Sequence, residues 1–384
     1  MPVASSKFCC CQVVHHGTGA LDCLADELEK LQAARPALVT DSGIVRAGLA
    51  DRVQERAGMD LALFAKVEPE PPYATVHACT RFLLDHGCDV VVGLGGGSSL
   101  DTAKMASALA INGGEVPDYW GVGRVPRPGL PLVAIPTTAG TGSEVSPAAV
   151  FKDPGDHTKK GVRSDHLLAR VAILDPTLTL GLPARLTAAT GMDALIHAIE
   201  AYTSPRATLT SDAMAEHAIR LIGTHLRSAY HDGDSLPART GMLTGSFLAG
   251  LALAEVNVGA VHALAQALGG RYPVSHGVAN ALLLPHVMAF NRGACQGKYA
   301  RVAGWMGEKV EGLDDEQASL RAIEAMRALL QDLALPRSLK QVGVNAEAVP
   351  EIAEACLQTQ GRNLTNNARP VSLSEAEAIL RAAC

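Results

Sequence analysis

The sequence contains few aromatic and few charged residues. Phe, Trp and Tyr make up 4% of its 384 residues, and Asp, Glu, Lys and Arg make up 19%. Hydrophobic residues account for 48%, which is typical of a globular chain rather than a disordered one. No apolar run reaches the length of about 18 residues that a transmembrane helix needs. Dense Lys/Arg clusters are also missing and the formal net charge is −6, so charge gives no reason to expect binding to nucleic acid or to an anionic membrane.

The cysteine pattern argues against a disulfide-stapled or cysteine-bound zinc protein. There are nine Cys and no Cys-x-x-Cys pair. The first seven residues lack the charged and then apolar layout of a secretory signal. Both features favour a reducing cytoplasm. The consecutive Cys9, Cys10 and Cys11 are expected to be strand residues rather than a redox group.

Short β-branched runs alternate with helix-like segments in the first half of the chain. These runs are Ala37–Thr40, Asp89–Leu94, Leu132–Ile135 and Val171–Leu174, each followed by Gly, Pro or Asp. Such continuous apolar strands between helices predict a buried parallel sheet.

The pattern changes near Leu182-Pro183, after which the chain reads almost wholly as helices. Residues 186–203 are helical in pattern, and residues 242–268 are rich in Ala, Gly and Leu with little charge, as in closely packed helices. Ser372-x-x-Glu375 is a capping box before a last helix. The sequence therefore predicts an α/β domain over residues 1–183 and an all-α domain over residues 184–384.

A glycine-rich turn follows the second predicted strand. Gly95-Gly96-Gly97-Ser98 allows close approach of a phosphate, and the helix after it presents free N–H groups and a positive dipole end. Asp101 and Lys104 lie in the first turns of that helix. The spacing differs from the Rossmann pattern G-x-G-x-x-G, because the third glycine position is Ser98. A tight turn without a ligand is the alternative.

Two other loops have polar groups at strand ends. Asp41 could accept hydrogen bonds from an adenosine ribose and would repel the 2′-phosphate of NADP, although it could equally be a helix cap. The loop of residues 136–144 offers hydroxyls and small side chains that suit a polar ligand, or alternatively form an ordinary turn.

Four side chains in the second half suggest a metal site. Asp193 and His197 are four residues apart, so they share one face of a helix. His262 lies in the least polar helical stretch, and His276 begins another apparent helix. One carboxylate and three imidazoles can bind Fe²⁺ or Zn²⁺. Taken singly, a surface ion pair and buried core histidines would explain the same residues.

These motifs together resemble the iron-containing (group III) alcohol dehydrogenase family, over essentially the whole chain. The strongest matches are residues 95–104, residues 136–144, residues 186–194 with His197, and residues 276–280. The resemblance implies an α/β dinucleotide-binding domain with a helical metal-binding domain, usually as a homodimer. It implies NAD(H) as cofactor and favours Fe²⁺ over Zn²⁺ as the metal.

The resemblance also carries roles onto individual residues. It implies metal binding by Asp193, His197, His262 and His276, and cofactor binding by Asp41, Gly96, Gly97, Ser98, Asp101, Thr137, Thr138, Thr141 and Lys159. In this pattern Gly96, Gly97 and Ser98 contact the pyrophosphate, Asp41 the adenosine ribose, the threonines the nicotinamide side and Lys159 the nicotinamide ribose.

One position departs from the pattern of many family members. They carry a second His one helical turn after the third ligand, where this chain has Gln266. Gln cannot take a proton near neutral pH, so a proton relay through this residue is not expected. We expect hydride transfer between a primary or secondary alcohol and NAD(H) in a cleft between the domains, with the metal polarising the substrate oxygen.

Other functions remain open from sequence alone. Within enzymes they are maleylacetate reductase, hydroxyacid-oxoacid transhydrogenase or a dehydroquinate synthase-like reaction that recycles its cofactor. Outside enzymes the alternative is an NAD-binding sensor without activity, against which the retention of all four candidate ligands argues.

Overall fold

The computed structural model describes residues 7–155 and 158–384. The chain forms two compact units, Cys9–Leu180 and Gly181–Cys384. The first is α/β and the second is helical, which confirms the predicted fold class.

The α/β unit contains nine strands and five α-helices in its described residues. The strands are β1 Val13–His16, β2 Pro36–Asp41, β3 Ala62–Val67, β4 Val90–Gly95, β5 Gly121–Val122, β6 Leu132–Pro136, β7 Ala148–Asp153, β8 Thr158–Arg163 and β9 Val171–Leu174. The helices are α1 Leu24–Lys30, α2 Ser42–Arg46, α3 Leu49–Ala57, α4 Tyr73–Asp85 and α5 Gly97–Asn112. Short 3-10 helices cover Ala20–Cys23, Val116–Tyr119, Asp165–Leu167 and Pro176–Thr179.

Six strands form one parallel sheet in the order β1-β9-β6-β4-β2-β3. The four strands predicted from apolar runs are β2, β4, β6 and β9, and all four are confirmed. The β4, β6 and β9 side chains are buried throughout, as expected for strands covered on both faces. Because β4 lies between β2 and β6, the carboxyl ends of these three strands are neighbours.

A second sheet of three strands, in the order β5-β8-β7, was not predicted. β7 and β8 pair antiparallel, but Lys152, Lys159 and Lys160 interrupt the apolar pattern that would have marked them. The prediction for Cys9–Cys11 was wrong, because these residues precede β1 and lie outside any strand. Pairing of β1 in the six-stranded sheet begins only at Val13, opposite Val171.

The Gly181–Cys384 unit is built from nine α-helices among its described residues. They are α6 Ala184–Thr203, α7 Leu209–His231, α8 Leu236–Val256, α9 Ala260–Arg271, α10 His276–Trp305, α11 Asp315–Asp332, α12 Val349–Thr359, α13 Gly361–Thr365 and α14 Leu373–Ala382. Short 3-10 helices cover Leu339–Val342 and Ala346–Ala348.

Local signals explain where several of these helices begin. Ser372 and Glu375 form the predicted capping box at the start of α14. α6 is buried on nearly every side from Thr187 onward, so it is a central helix of its unit. Among the described helices, none by itself has the length and apolar character to cross a membrane; α8 and α9, bent by 97°, would pass that test only as a pair.

Candidate active site

Most of the predicted cofactor residues lie at the carboxyl ends of β2, β4 and β6; Lys159 lies in β8 and Asp101 in α5. Asp41 ends β2, and its Oδ1 accepts hydrogen bonds from the backbone N–H groups of Gly43 (2.7 Å) and Ile44 (3.0 Å). The carboxylate is therefore a helix cap for α2. Its other oxygen, Oδ2, faces the glycine-rich turn, 3.5 Å from Ser99 Oγ. The predicted ribose-binding role would use this second oxygen, so it is compatible with the cap.

The glycine-rich turn packs directly on the threonine loop that follows β6. A Cβ on Gly97 would lie 2.8 Å from Thr141 Cγ2, and one on Gly96 would lie 3.4 Å from Thr138. Thr137 N–H donates to Gly95 O across the two strand ends. The two loops that the sequence singled out separately are thus one surface, which ends in the N-terminus of α5. Such a helix start with close-packed glycines suits a pyrophosphate.

Asp101 and Lys104 point into the α/β unit and tie these loops together. Lys104 is fully buried, and its Nζ donates to Ser143 Oγ (2.7 Å), Ser146 O (2.9 Å) and Ala148 O (2.9 Å). Asp101 accepts hydrogen bonds from Ser143 Oγ (2.5 Å) and Val150 N–H (2.9 Å). These contacts of Asp101 therefore support the loop from within, whereas its predicted cofactor contact stays a prediction.

Lys159 reaches the glycine-rich turn through an acidic partner. Its Nζ donates to Glu70 Oε1 at 2.7 Å, and the Glu70 N–H donates to Ser98 Oγ at 3.2 Å. Glu70 holds a left-handed backbone conformation, with φ of 51°, that a side-chain-bearing residue adopts at a cost. The structure thus joins Lys159 and Ser98, two predicted cofactor residues, through a residue that the sequence did not single out.

In the helical unit, α6 and α9 bring two imidazoles face to face beside a carboxylate. Asp193 and His197 lie one turn apart on α6, with His197 Nε2 4.0 Å from Asp193 Oδ2. His262, in the first turn of α9, stacks on His197 with ring centroids 4.7 Å apart and planes inclined by 16°. Its Nε2 lies 3.5 Å from Asp193 Oδ1. Two helices that are distant in sequence therefore present three candidate ligands to one point.

His276, the first residue of α10, completes the group. Its Nε2 lies 3.6 Å from Asp193 Oδ1, and one ligand atom each from Asp193, His262 and His276 fall within 4.8 Å of one another. The side chain of His276 is 31% exposed, while those of the other three candidates are at most 7% exposed. The cluster is consequently closed on the α6 and α9 side and open at His276, as a catalytic metal site with room for a substrate requires.

Contacts within the cluster shift the pKa values of Asp193 and His262. Burial would raise the pKa of Asp193, but the imidazoles of His197, His276 and His262 lower it well below its ordinary range. Burial would lower the pKa of His262, but Glu200 and Asp193 raise it to about 9. A cation in the cluster would meet an ionised carboxylate, and its binding would displace the proton from His262.

Two further residues contact the candidate ligands. Asn280, one turn after His276, donates from Nδ2 to Asp193 Oδ1 at 2.7 Å. Glu200 Oε2 lies 2.6 Å from His262 Nδ1. Sequence reasoning missed both, although Glu200 carried a signal: it falls three residues after His197 and seven after Asp193, on the same face of an otherwise apolar helix.

The approach of α10 to α6 depends on Gly277. A Cβ at this position would lie 2.4 Å from Ala189 O, a backbone atom in α6. We therefore expect Gly277→Ala to push the first turn of α10 away and to lower the free energy of unfolding by about 1–3 kcal/mol. Because His276 is the adjacent residue, metal content should fall with it; thermal unfolding and elemental analysis measure the two effects.

Gly293 provides the matched control for this substitution. It lies in the same helix, and a Cβ there would meet no atom within 4 Å. Gly293→Ala should therefore be neutral or stabilising by up to about 1 kcal/mol, because it only reduces the freedom of the unfolded chain. Equal stability and metal content for the two variants would contradict a packing role for Gly277.

Family comparison agrees with this geometry over both units. A model described as iron-containing alcohol dehydrogenase matches residues 11–176, and one described as the C-terminal part of the Fe-containing alcohol dehydrogenase family matches residues 187–384. The chain belongs to the iron-containing alcohol dehydrogenase family. It is an oxidoreductase that transfers hydride between an alcohol and NAD, and the family's cofactors are NAD and Fe²⁺.

Individual relatives match along nearly the whole chain. Long-chain-alcohol dehydrogenase 1 of Geobacillus thermodenitrificans is 41% identical over 375 residues, covering 96% of this chain and 94% of the relative. The NAD-dependent methanol dehydrogenase of Bacillus methanolicus is 38% identical over 91% of this chain and 94% of its own. The crystal structure of a 1,3-propanediol oxidoreductase superposes with a TM-score of 0.96 at 39% identity, covering 99% of this chain and all of the other.

The donor set of the helical unit fits the metal that this family implies. His262 Nε2 is buried and has no hydrogen-bond partner among the described residues, so a cation would satisfy it. One carboxylate and three neutral imidazoles are ligands that Fe²⁺ and Zn²⁺ both accept. The residues present therefore fit the metal.

Proposed function

We propose that this enzyme interconverts a primary alcohol and its aldehyde, with Asp193, His197, His262 and His276 as the metal ligands. The observation that carries the proposal is the convergence of three helices, α6, α9 and α10, on one buried carboxylate surrounded by three imidazoles. When bound, the metal supplies Lewis acidity to the substrate oxygen.

The α/β unit supplies the cofactor side of the reaction. We assign the pyrophosphate to Gly96, Gly97 and Ser98, and the adenosine ribose to Asp41. The nicotinamide side falls to Thr137, Thr138, Thr141 and Lys159, while Asp101 supports the same loop from within. The preference for NAD over NADP is supported by Asp41, since its carboxylate would repel a 2′-phosphate.

In this proposal, residues around the metal ligands hold those ligands in place and keep bulk water away from them. Asn280 holds Asp193 Oδ1 by donating to it, and burial of three of the ligands keeps bulk water from that side. Gln266 lies half-buried on α9, one turn after His262, and its amide cannot accept a proton near neutral pH. The hydroxyl proton of the alcohol is therefore released without passing through that side chain.

Restriction to primary alcohols is supported by the relatives. Methanol and 1,3-propanediol, named for two of them, carry the hydroxyl on a terminal carbon. A homodimer and a cytoplasmic location complete the proposal. The location is supported by the free thiols of all nine cysteines, among them the buried Cys79, Cys88, Cys295 and Cys356.

Chelation and reconstitution test this function. Protein stripped of metal should lose at least about 100-fold in turnover, since Lewis acid stabilisation is worth several kcal/mol, and Fe²⁺ should restore it. The assay follows NADH absorbance with methanol, 1-butanol, 1,3-propanediol and the matching aldehydes, and 2-propanol serves as the secondary alcohol. NADPH in place of NADH should support little turnover.

Several outcomes would decide against the proposal. Full turnover of metal-free protein would remove the role of the four ligands. A metal-loaded protein that binds NADH but turns over no substrate would favour a sensor. Higher activity with 2-propanol than with the primary alcohols would overturn the substrate class while leaving the metal chemistry intact.

A further inference from the structure

Glu200 is a carboxylate buried in the helical unit, and both of its oxygens contact the start of α9. Its Oε2 lies 2.6 Å from His262 Nδ1 and also accepts a hydrogen bond from Gly259 N–H at 2.9 Å. Its Oε1 accepts from Val261 N–H at 2.7 Å. Both oxygens of one side chain from α6 therefore hold the start of α9 and the imidazole that α9 presents.

The contact with His262 determines which ring nitrogen faces the candidate metal. An ionised carboxylate only accepts hydrogen bonds, so its partner Nδ1 carries the proton. In the neutral imidazole the other nitrogen, Nε2, then keeps its lone pair. Nε2 is the atom that lies 3.5 Å from Asp193 Oδ1. Glu200 thus aims the lone pair of His262 toward the other candidate ligands.

The backbone contacts fix where that imidazole stands. Gly259 and Val261 flank the first residue of α9, and their N–H groups are among those that a helix start leaves without an internal partner. A carboxylate at this end also suits the helix dipole. A Cβ on Gly259 would lie 3.0 Å from Glu200 Oε1, so the glycine is what admits the carboxylate this closely.

Position on α6 couples Glu200 to the remaining ligands. Asp193, His197 and Glu200 follow one another at spacings of four and three residues, so they occupy one face of the same helix. Movement of α6 would displace two ligands and the support of a third together. The arrangement is that of a metal-binding imidazole held from behind by a carboxylate.

We propose that Glu200 is a positioning residue of the metal centre, which sets the tautomer and orientation of His262 and anchors the start of α9. It also places a second negative charge behind the ligand set, which should strengthen binding of a divalent cation. This inference rests on the proposed metal ligands and adds a residue that does not itself bind the metal.

The test measures metal affinity rather than activity. Glu200→Gln keeps the size of the side chain and can still form hydrogen bonds. It removes the negative charge and replaces one of the two acceptor oxygens with an NH₂ donor. Chelator competition with Fe²⁺ under anaerobic conditions, and with Zn²⁺, should give a dissociation constant about 10- to 100-fold weaker than that of the unaltered protein. Glu200→Asp keeps the charge but shortens the side chain, so its dissociation constant should lie between those of the unaltered protein and Glu200→Gln.

Two controls separate this role from a purely structural one. Asn367 Oδ1 accepts a hydrogen bond from Ala260 N–H (3.4 Å) at the same start of α9, so Asn367→Ala should lower the melting temperature of the metal-free protein but change metal affinity by less than about threefold. Glu255 accepts a hydrogen bond from Thr208 Oγ1 elsewhere in the helical unit, and Glu255→Gln should leave metal affinity unchanged.

The outcomes distinguish this inference from the function it rests on. Unaltered protein that binds no metal would overturn the proposed function. Metal binding that Asp193→Asn abolishes but Glu200→Gln leaves at its original strength would overturn only the role of Glu200. Equal weakening in Asn367→Ala and Glu200→Gln would also overturn it, because the anchoring of the start of α9 rather than the imidazole contact would then control affinity.

Discussion

Replacing Asp193 with Asn is expected to remove metal binding and to lower kcat/KM by about 1,000-fold, which corresponds to about 4 kcal/mol of transition-state stabilisation. Asp193 is the carboxylate around which the three imidazoles are arranged, at 3.5 to 4.0 Å from its oxygens. Loss of its charge leaves a donor set of neutral rings. Metal affinity should therefore fall by more than the 10- to 100-fold expected for an outer contact.

Thermal unfolding separates this effect from misfolding. Metal that binds only the folded state raises the melting temperature, and that increase should vanish in Asp193→Asn while the metal-free protein remains folded. Asp212→Asn is the control, since Asp212 is a half-buried carboxylate on α7 whose neighbour is Lys298 rather than a candidate ligand. Retention of the metal-dependent increase in Asp193→Asn would show that the centre assembles without this ligand.

Sequence patterns predicted four of the six strands of the parallel sheet and the four side chains that come together in the helical unit. β4 and β6 are short continuous apolar runs, and the spacing of four between Asp193 and His197 puts both on one face of the helix predicted there. His262 and His276 were grouped with them as buried histidines of apolar helical stretches, and the resemblance to the family strengthened that grouping. Nothing in their spacing of fourteen residues brings them together; the turn between α9 and α10 does so, and a single sequence does not reveal that turn.

The supporting contacts were beyond sequence reasoning for a related reason. Glu200 and His262 are separated by 62 residues, and Lys159 and Glu70 by 89, so each pair exists only after the helices or sheets have packed. Strand β8 was missed because two of its charged residues are partly buried in ion pairs, Lys160 with Asp153 of β7 and Lys159 with Glu70, which reverses the usual link between charge and exposure. Polar contacts between residues far apart in sequence are therefore the main feature that the structure shows and the sequence did not predict.

Lys104 is the position in the α/β unit where a substitution is expected to cost the most stability. Its ammonium group is fully buried, 3.6 Å from Asp101 Oδ1, and burial lowers its pKa while raising that of Asp101. Lys104→Met keeps the volume and removes the charge. Asp101 would then be buried without its cation, and burial already raises the pKa of nearby Glu144 to about 7. Breaking a buried pair in this way costs about 3–5 kcal/mol.

The melting temperature of Lys104→Met should therefore fall by about 10 °C. NADH affinity should fall as well, because Lys104 holds Ser143 and Ser146 at the end of the threonine loop. The double variant Asp101→Asn/Lys104→Met should recover part of the stability, since no uncompensated charge remains. A double variant less stable than Lys104→Met would show that the hydrogen bonds of Asp101 to Ser143 and Val150, rather than its pairing with Lys104, hold this part of the unit together.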